Sequence, residues 1–336
     1  MAIFAFLNNK TMVINHEYAL SHFYHQIQFA LDSYKSHGLS SQQFNHVLIG
    51  GLGGSGIGGR IARGYFLDKA SLPIEVFSDY SLPKYANEKT LVILGSYSGE
   101  TEETLAMYKA AQAKSCPIIC ISSGGTLSEW AQRDAYPLYT IEKGYQPRMA
   151  LGFSLTYNLL ILSELFAVSL QNELMALKDV YQVEAHQAKA QSALNLFLES
   201  LNHKYVLVTD LHTEAIGTRF AQQIQENAKC EAFVNVIPEA NHNVFETYYG
   251  SVPSNFIFLN SRSNNRNNGR FAYLKQLLEK QGNLVYEMPV SANSIHDIYE
   301  LIYTTDWFSI LLSDQLGADN MSVPNISGLK SFLSTF

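Results

Sequence analysis

Charge is scarce in this sequence. Of its 336 residues only 16% are Asp, Glu, Lys or Arg, against about a quarter in an average soluble domain, which is too few for a disordered chain or a coiled coil. Acidic groups outnumber basic ones, 30 to 23, for a formal net charge of −7, so no broad basic face exists to hold nucleic acid. Cysteine is sparse too. Cys116, Cys120 and Cys230 are an odd number for a disulfide framework and form no CxxC pair. Cys116 and Cys120 lie in the apolar run SCPIICISS and read as buried thiols of a reduced, cytoplasmic protein. No HExxH, paired-His or Cys–His pattern is present, so no metal is expected. The opening MAIFAFLNNKTM has neither a basic region nor a cleavage pattern, and no signal peptide is expected.

Apolar residues are plentiful, at 47%, with 19 Phe and 20 Tyr, enough for dense cores in two domains. The one run of membrane-spanning length is LGFSLTYNLLILSELFAVSL (151–170). Asn158, Glu164 and several hydroxyls interrupt it, so it reads as a fully buried helix of a soluble protein.

Residues 13–39 are predicted to be helical. From there short apolar strands alternate with helices. Strands are expected at 46–51, 74–80, 90–99 and 116–125, with helices at 56–66 and 100–113. That alternation predicts a parallel, doubly wound α/β sheet. The stretch 151–200 looks helical throughout. A second α/β pattern begins at KYVLVTDLH (204–212), with a helix over 214–227, a strand at 254–261, a helix over 271–281, a strand at 283–288 and a long helix over 297–312. SRSNNRNNGR (261–270) reads as an exposed loop. The expected organisation is therefore a helical segment (1–40), a first α/β domain (41–150), a helical connector (151–200) and a second α/β domain (201–336).

GLGGSGIGGR (51–60) follows a strand and opens a helix. Gly51, Gly53 and Gly56 fit GxGxxG, and Asp79 follows at the distance expected of a ribose-binding acid, so a nicotinamide dinucleotide site is one reading. A sugar-phosphate site is the other. Helix N-terminal N–H groups attract anions, with Gly53, Gly54 and Ser55 as the donors here. SYSGETEETL (96–105) favours the second reading. It too runs from strand to helix, and Ser96, Ser98 and Thr101 offer hydroxyls that a dinucleotide does not require. Glu102 and Glu103 are ordinary first-turn carboxylates. SSGGTL (122–127) is either a third wall of the pocket or a turn.

These three loops, in this order, resemble the SIS (sugar isomerase) domain, a doubly wound phosphosugar-binding fold. FSDYSLP (77–83) is similar to that family's stretch after the second strand, which gives Asp79 a structural role instead. QPRMALG (146–152), QENAK (225–229), PEANHN (238–243) and the final ISGLKSFL (326–333) resemble motifs of the bifunctional phosphoglucose/phosphomannose isomerases. The resemblance runs from about residue 40 onward. It implies two SIS lobes and a metal- and cofactor-free interconversion of glucose 6-phosphate, and of mannose 6-phosphate, with fructose 6-phosphate through a cis-enediol.

The resemblance also implies roles. Glu226 matches the base that moves a proton between C2 and C1, with Glu239 as a loop or supporting carboxylate. His242 matches the ring-opening histidine, which this family takes from the neighbouring subunit, so a homodimer with shared sites is implied. His46, His203 and His212 have no motif context. Arg148 matches the cation beside the enediolate oxygens, and Lys330 the C-terminal lysine near the sugar ring. Around GADNMSVPN (317–325) the sequence departs from the family pattern, and no role is assigned to Ser322. Two other functions use the same loops: a phosphosugar sensor without catalysis, and a nicotinamide-dependent oxidoreductase.

Overall fold

The computed structural model describes residues 14–247, 252–288, 290 and 294–335; the expectations for 1–13 lie outside them. Two short helices come first, α1 (His16–Ser21) and α2 (Phe23–Ser33). The first sheet unit follows as β1 (His46–Gly51), α3 (Gly53–Tyr65), β2 (Ile74–Phe77), β3 (Thr90–Ser96), α4 (Glu102–Ala113), β4 (Ile118–Ser122), α5 (Gly125–Arg133) and β5 (Leu138–Thr140). The helices α6 (Leu151–Leu165), α7 (Gln171–Ala176) and α8 (Val183–Asn195) lead to the second unit. This consists of β6 (Lys204–Asp210), α9 (Glu214–Gln223), β7 (Ala232–Ile237), α10 (Val244–Thr247), β8 (Ser254–Leu259), α11 (Asn265–Lys280) and β9 (Leu284–Glu287), and it is closed by α12 (Ile295–Leu316) and α13 (Pro324–Leu333).

Both sheets are parallel throughout, in the orders β2-β1-β3-β4-β5 and β7-β6-β8-β9. Every residue of β3, β4 and β8 is buried, as strands covered on both faces must be, which is why they read as unbroken apolar runs. Met107, Tyr108, Leu127 and Ala131 of α4 and α5 cover one face of the first sheet, and Phe271, Leu274 and Leu278 of α11 one face of the second. Between the sheets, one continuous core joins α2, α3, α6, α8, α9 and α12.

The helix α6 is buried along most of its length, and polar side chains within it bond its own backbone. Asn158 Nδ2 donates to the Ser154 carbonyl (2.8 Å) and Thr156 Oγ1 to that of Gly152 (2.6 Å). It stops at Leu165, short of the predicted 170. At 15 residues it is about 22 Å long, and no helix among the described residues is long and apolar enough to cross a membrane.

Several elements differ from expectation. The N-terminal helix breaks at His22 and ends at Ser33. The segment 265–270, read as loop, forms the first turns of α11. Asn264 caps it by accepting from the Arg266 and Asn267 N–H groups, and those turns carry no apolar periodicity because they face solvent. Four elements were not anticipated, the short helix α10 among them. Gly124 and Gly125 disguise the start of α5 as a turn, β5 has only three residues, and the edge strand β7 is only half-buried, with Phe233 51% exposed.

Candidate active site

In the first sheet the connections leaving β1 and β3 run in opposite directions, and a crevice opens where such neighbours part at their C-terminal ends. The starts of α3 and α4 flank it, and no side chain caps either. Gly53 takes a left-handed φ of +51°, and Ser55 beside it is half-buried. From β3, Ser96 Oγ and Thr101 Oγ1 lie 2.8 Å apart, and Ser96 Oγ also accepts the Gly99 N–H (3.1 Å). Ser98 Oγ, exposed at the rim, accepts the Glu100 N–H (3.2 Å). The hydroxyls therefore shape the loop as well as line it.

Two further helix starts already hold an anion from the chain itself. At α5, the Glu100 carboxylate accepts from the Thr126 N–H (2.7 Å) and hydroxyl (2.9 Å), so the SSGGTL turn closes onto the preceding loop. In the second sheet the matching crevice lies between β6 and β8. There Asp210, 1% exposed, accepts from the Ser261 N–H (2.9 Å) and hydroxyl (2.6 Å) and from the N–H groups of His212 (3.1 Å) and Thr213 (3.3 Å). Among the described residues, the helix starts beside the first sheet's crevice hold no side-chain carboxylate.

Arg148 sits on a short 3-10 turn, Pro147–Met149, whose proline pre-sets the backbone. This turn abuts the glycine-rich start of α3. A Cβ on Gly54 would stand 2.6 Å from the Pro147 carbonyl oxygen and 3.6 Å from Arg148 Cα, so only glycine permits the approach. Arg148 is buried. Its Nε donates to Asn227 Oδ1 (3.1 Å) and its Nη2 to the Asn320 carbonyl (2.6 Å), while Nη1 lies 3.4 Å from Glu226 Oε2. Glu226 is half-exposed, in a π-helical turn (Ile224–Ala228) that ends α9, and buried Asn227 follows it. Lys229, in the left-handed region, donates to the carbonyls of Glu226 (2.5 Å) and Ser322 (2.6 Å). The segment before α13 is thus strapped across the site by two cations. Helices α1 and α2 buttress it from behind: His16 Nε2 bonds the Asn320 carbonyl (3.2 Å) and Gln26 Nε2 the Met149 carbonyl (2.8 Å).

Burial and the Arg148 guanidinium hold His16 down at about 4, so it is neutral at pH 7 and donates from Nε2 to the Asn320 carbonyl. Burial also lowers Arg148, with Glu226 opposing, and lowers Lys229, with Arg148 adding to the effect.

Sequence reasoning placed Arg148 and Glu226 in one site, and the structure brings them together. It does not bring the other two to them within one chain. His242 and Glu239 lie exposed on a 3-10 turn after β7. Lys330 lies on α13, where every residue is exposed, and makes no ion pair among the described residues. Asp79 is exposed beyond the end of β2, its Oδ1 accepting the Tyr80 N–H (2.6 Å). Asn227, Lys229, His16 and the carbonyls of 320–322 were missed. For Asn227 and Lys229 the signal lay in the QENAK motif itself, and for Asn227 also in the polar spacing Arg219, Gln223, Asn227 along a helix otherwise facing the core. Cys116 and Cys120 are buried and Cys230 half-buried, all three free, with burial pushing each thiol up. One grouping among the described residues could hold a metal, His296, Asp297 and Glu300 on the first turns of α12. Lys189 already pairs with Glu300 there.

Residues 41–168 match the SIS domain model and residues 189–333 the model of the bacterial phospho-glucose isomerase C-terminal SIS domain. A bifunctional phosphoglucose/phosphomannose isomerase of Caldicellulosiruptor bescii is 35% identical over 92% of this chain and 96% of its own. A D-glucosamine-6-phosphate 4-epimerase of Sulfolobus acidocaldarius is 34% identical over 62% of this chain and 65% of its own. Among solved structures, a glucosamine-6-phosphate deaminase of Thermotoga maritima superposes with a TM-score of 0.70 at 15% identity, over 91% of this chain and 97% of that one, a likeness of fold.

Proposed function

The chain belongs to the bifunctional phosphoglucose/phosphomannose isomerase family, with two SIS domains, and from that premise we propose that it interconverts glucose 6-phosphate and mannose 6-phosphate with fructose 6-phosphate without a metal. The observation that carries this reading is the pairing of Glu226 with the Nη1 corner of Arg148 at 3.4 Å, beside a phosphate-loop glycine packed against the Arg148 turn.

The sugar's phosphate dianion sits in the crevice between β1 and β3, held by the N–H groups of Gly53 and Gly54 and the hydroxyls of Ser55, Ser96, Ser98 and Thr101. The open chain then runs toward the second lobe. Glu226 removes the proton from C2 and returns it to C1, or the reverse. Negative charge growing on the two enediolate oxygens meets Arg148, whose guanidinium is already oriented and desolvated. The enediolate has lost the C2 stereocentre, so reprotonation from either face gives the glucose or the mannose epimer. Ring opening falls to His242. Its exposure on the surface of one chain fits donation to a partner's site in a homodimer. Lys330, on the likewise exposed α13, completes the sugar-ring contacts.

The purified protein should convert fructose 6-phosphate to glucose 6-phosphate in EDTA. Glu226→Gln should lower kcat by about 10²–10⁴-fold while still binding the sugar phosphate. Full activity in Glu226→Gln would overturn the assignment. Sugar-phosphate binding without turnover by the wild type would make the chain a sensor, and 4-epimerisation of glucosamine 6-phosphate in its place would move it to the other chemistry found among its relatives.

A further inference from the structure

Three side chains of α9 and its π turn, Arg219, Gln223 and Asn227, face Asp306 and Ser309 of α12. All five are buried. Asp306 is the only carboxylate in this group, and each of its oxygens starts a separate hydrogen-bonded branch that ends on Arg148. In one, Arg219 Nη2 donates to Asp306 Oδ2 (2.6 Å) and to the main-chain carbonyl of Arg148 (3.2 Å). In the other, Gln223 Nε2 donates to Asp306 Oδ1 (3.1 Å), Gln223 Oε1 accepts from Asn227 Nδ2 (3.4 Å), and Asn227 Oδ1 accepts from Arg148 Nε (3.1 Å). Ser309 supports the second branch. Its hydroxyl donates to the Asp306 carbonyl (2.7 Å), which leaves a lone pair for Asn227 Nδ2 (3.0 Å).

The direction of every amide in this relay is dictated by its neighbours. A carboxylate can only accept, so Gln223 must turn its NH2 toward Asp306 and its oxygen toward Asn227. Asn227 must then turn its own oxygen toward Arg148. The guanidinium is planar, so fixing Nε on Asn227 and Nη2 on the Asn320 carbonyl leaves one orientation, with Nη1 as the corner facing Glu226. A surface arginine would be free to swing, and this one is not.

We propose that Asp306, Arg219, Gln223 and Asn227 are positioning residues for the isomerisation, which aim Nη1 of Arg148 at the enediolate without touching the substrate. This rests on the role given to Arg148 above. The test is a double-mutant cycle with Gln223→Met, which cuts one branch without adding a charge, and Arg148→Lys, which removes the planar fork that the branch orients. Gln223→Met alone should lower kcat about tenfold with KM for fructose 6-phosphate changed less than twofold, because a misaimed cation weakens the transition state and not the phosphate grip. In the Arg148→Lys background the same change should have almost no effect on kcat. Equal effects in both backgrounds would mean that Gln223 only supports the fold, and would overturn the proposal. If Gln223→Met does not fold, Ser309→Ala carries the same cycle with an expected drop of about threefold, and additivity there would overturn the proposal equally. A wild type inactive on fructose 6-phosphate would sink the function itself, whereas an active wild type with an additive cycle would sink only the relay.

Discussion

His16 makes the electrostatics of the strap measurable. It lies in α1, 5% exposed, and bonds the Asn320 carbonyl that Arg148 also grips. Burial and Arg148 hold it down at about 4, against an ordinary 6.5. A histidine whose folded pKa is depressed takes up its proton more readily in the unfolded chain. Its contribution to stability is therefore complete above about pH 6.5 and is lost as pH falls from there toward 4. Between pH 7 and pH 5 the loss is about 2 kcal/mol, close to 1.4 kcal/mol for each of the one and a half units between 6.5 and 5. Glutamine cannot titrate, yet its Nε2 can reach the same carbonyl. Urea titrations of the wild type and His16→Gln at pH 7 and pH 5 should therefore show the stability difference moving by about 2 kcal/mol in favour of the variant at pH 5. The many carboxylates that also respond to acid are common to both proteins and cancel. If the difference stays within about 0.5 kcal/mol across that interval, His16 is not a buried neutral donor, and the account of the strap fails.

Gly54→Ala would force a Cβ to 2.6 Å from the Pro147 carbonyl, moving the proposed phosphate loop and the Arg148 turn apart. Steady-state kinetics should show KM for fructose 6-phosphate raised and kcat lowered together, about tenfold each, and unchanged kinetics would mean that the two loops do not meet as described. Asp210→Ala leaves four donors at the β6–β8 crevice without their anion. It should destabilise by about 3 kcal/mol and regain melting temperature in added acetate or phosphate more than the wild type does. No anion-dependent recovery would refute the idea that this carboxylate stands where an anion would bind.

Much of this architecture was legible because parallel strands buried on both faces leave an unmistakable trace. VLIGG, TLVILG and NFIFL are apolar without alternation, and Gly- or Ser-rich loops punctuate them. Local signals failed where a neighbour decides the outcome. Gly124 and Gly125 read as a turn, yet they begin α5 because the Glu100 side chain, from a different loop, supplies its anion. The segment around Asn265 reads as loop because its helix has no apolar stripe to show there. Arg148 and Glu226 could be matched to motifs one at a time. Their supports could not be read as supports, because Asn227, Asp306 and the Asn320 carbonyl act through partners 79, 87 and 172 residues away in sequence. No window of sequence contains both ends of such a bond.

The two lobes carry the same strand order around their central crevice but differ in the residue at the end of the first strand. Where β1 ends in Gly51, backbone donors and hydroxyls face an open crevice. Where β6 ends in Asp210, the matching donors close on a carboxylate. That carboxylate fastens the loop before α9, and α9 ends in the π turn. The wider π geometry inserts an extra residue where helical register would otherwise continue. In that turn Asn227 is buried against α12 while Glu226 is half-exposed on the side of Arg148. Without that carboxylate the loop before α9 would lose the bonds that fix it, and the helix bearing Glu226 would be held less firmly at its start. Filling the second crevice from within leaves the helix that carries the proposed base anchored at both ends.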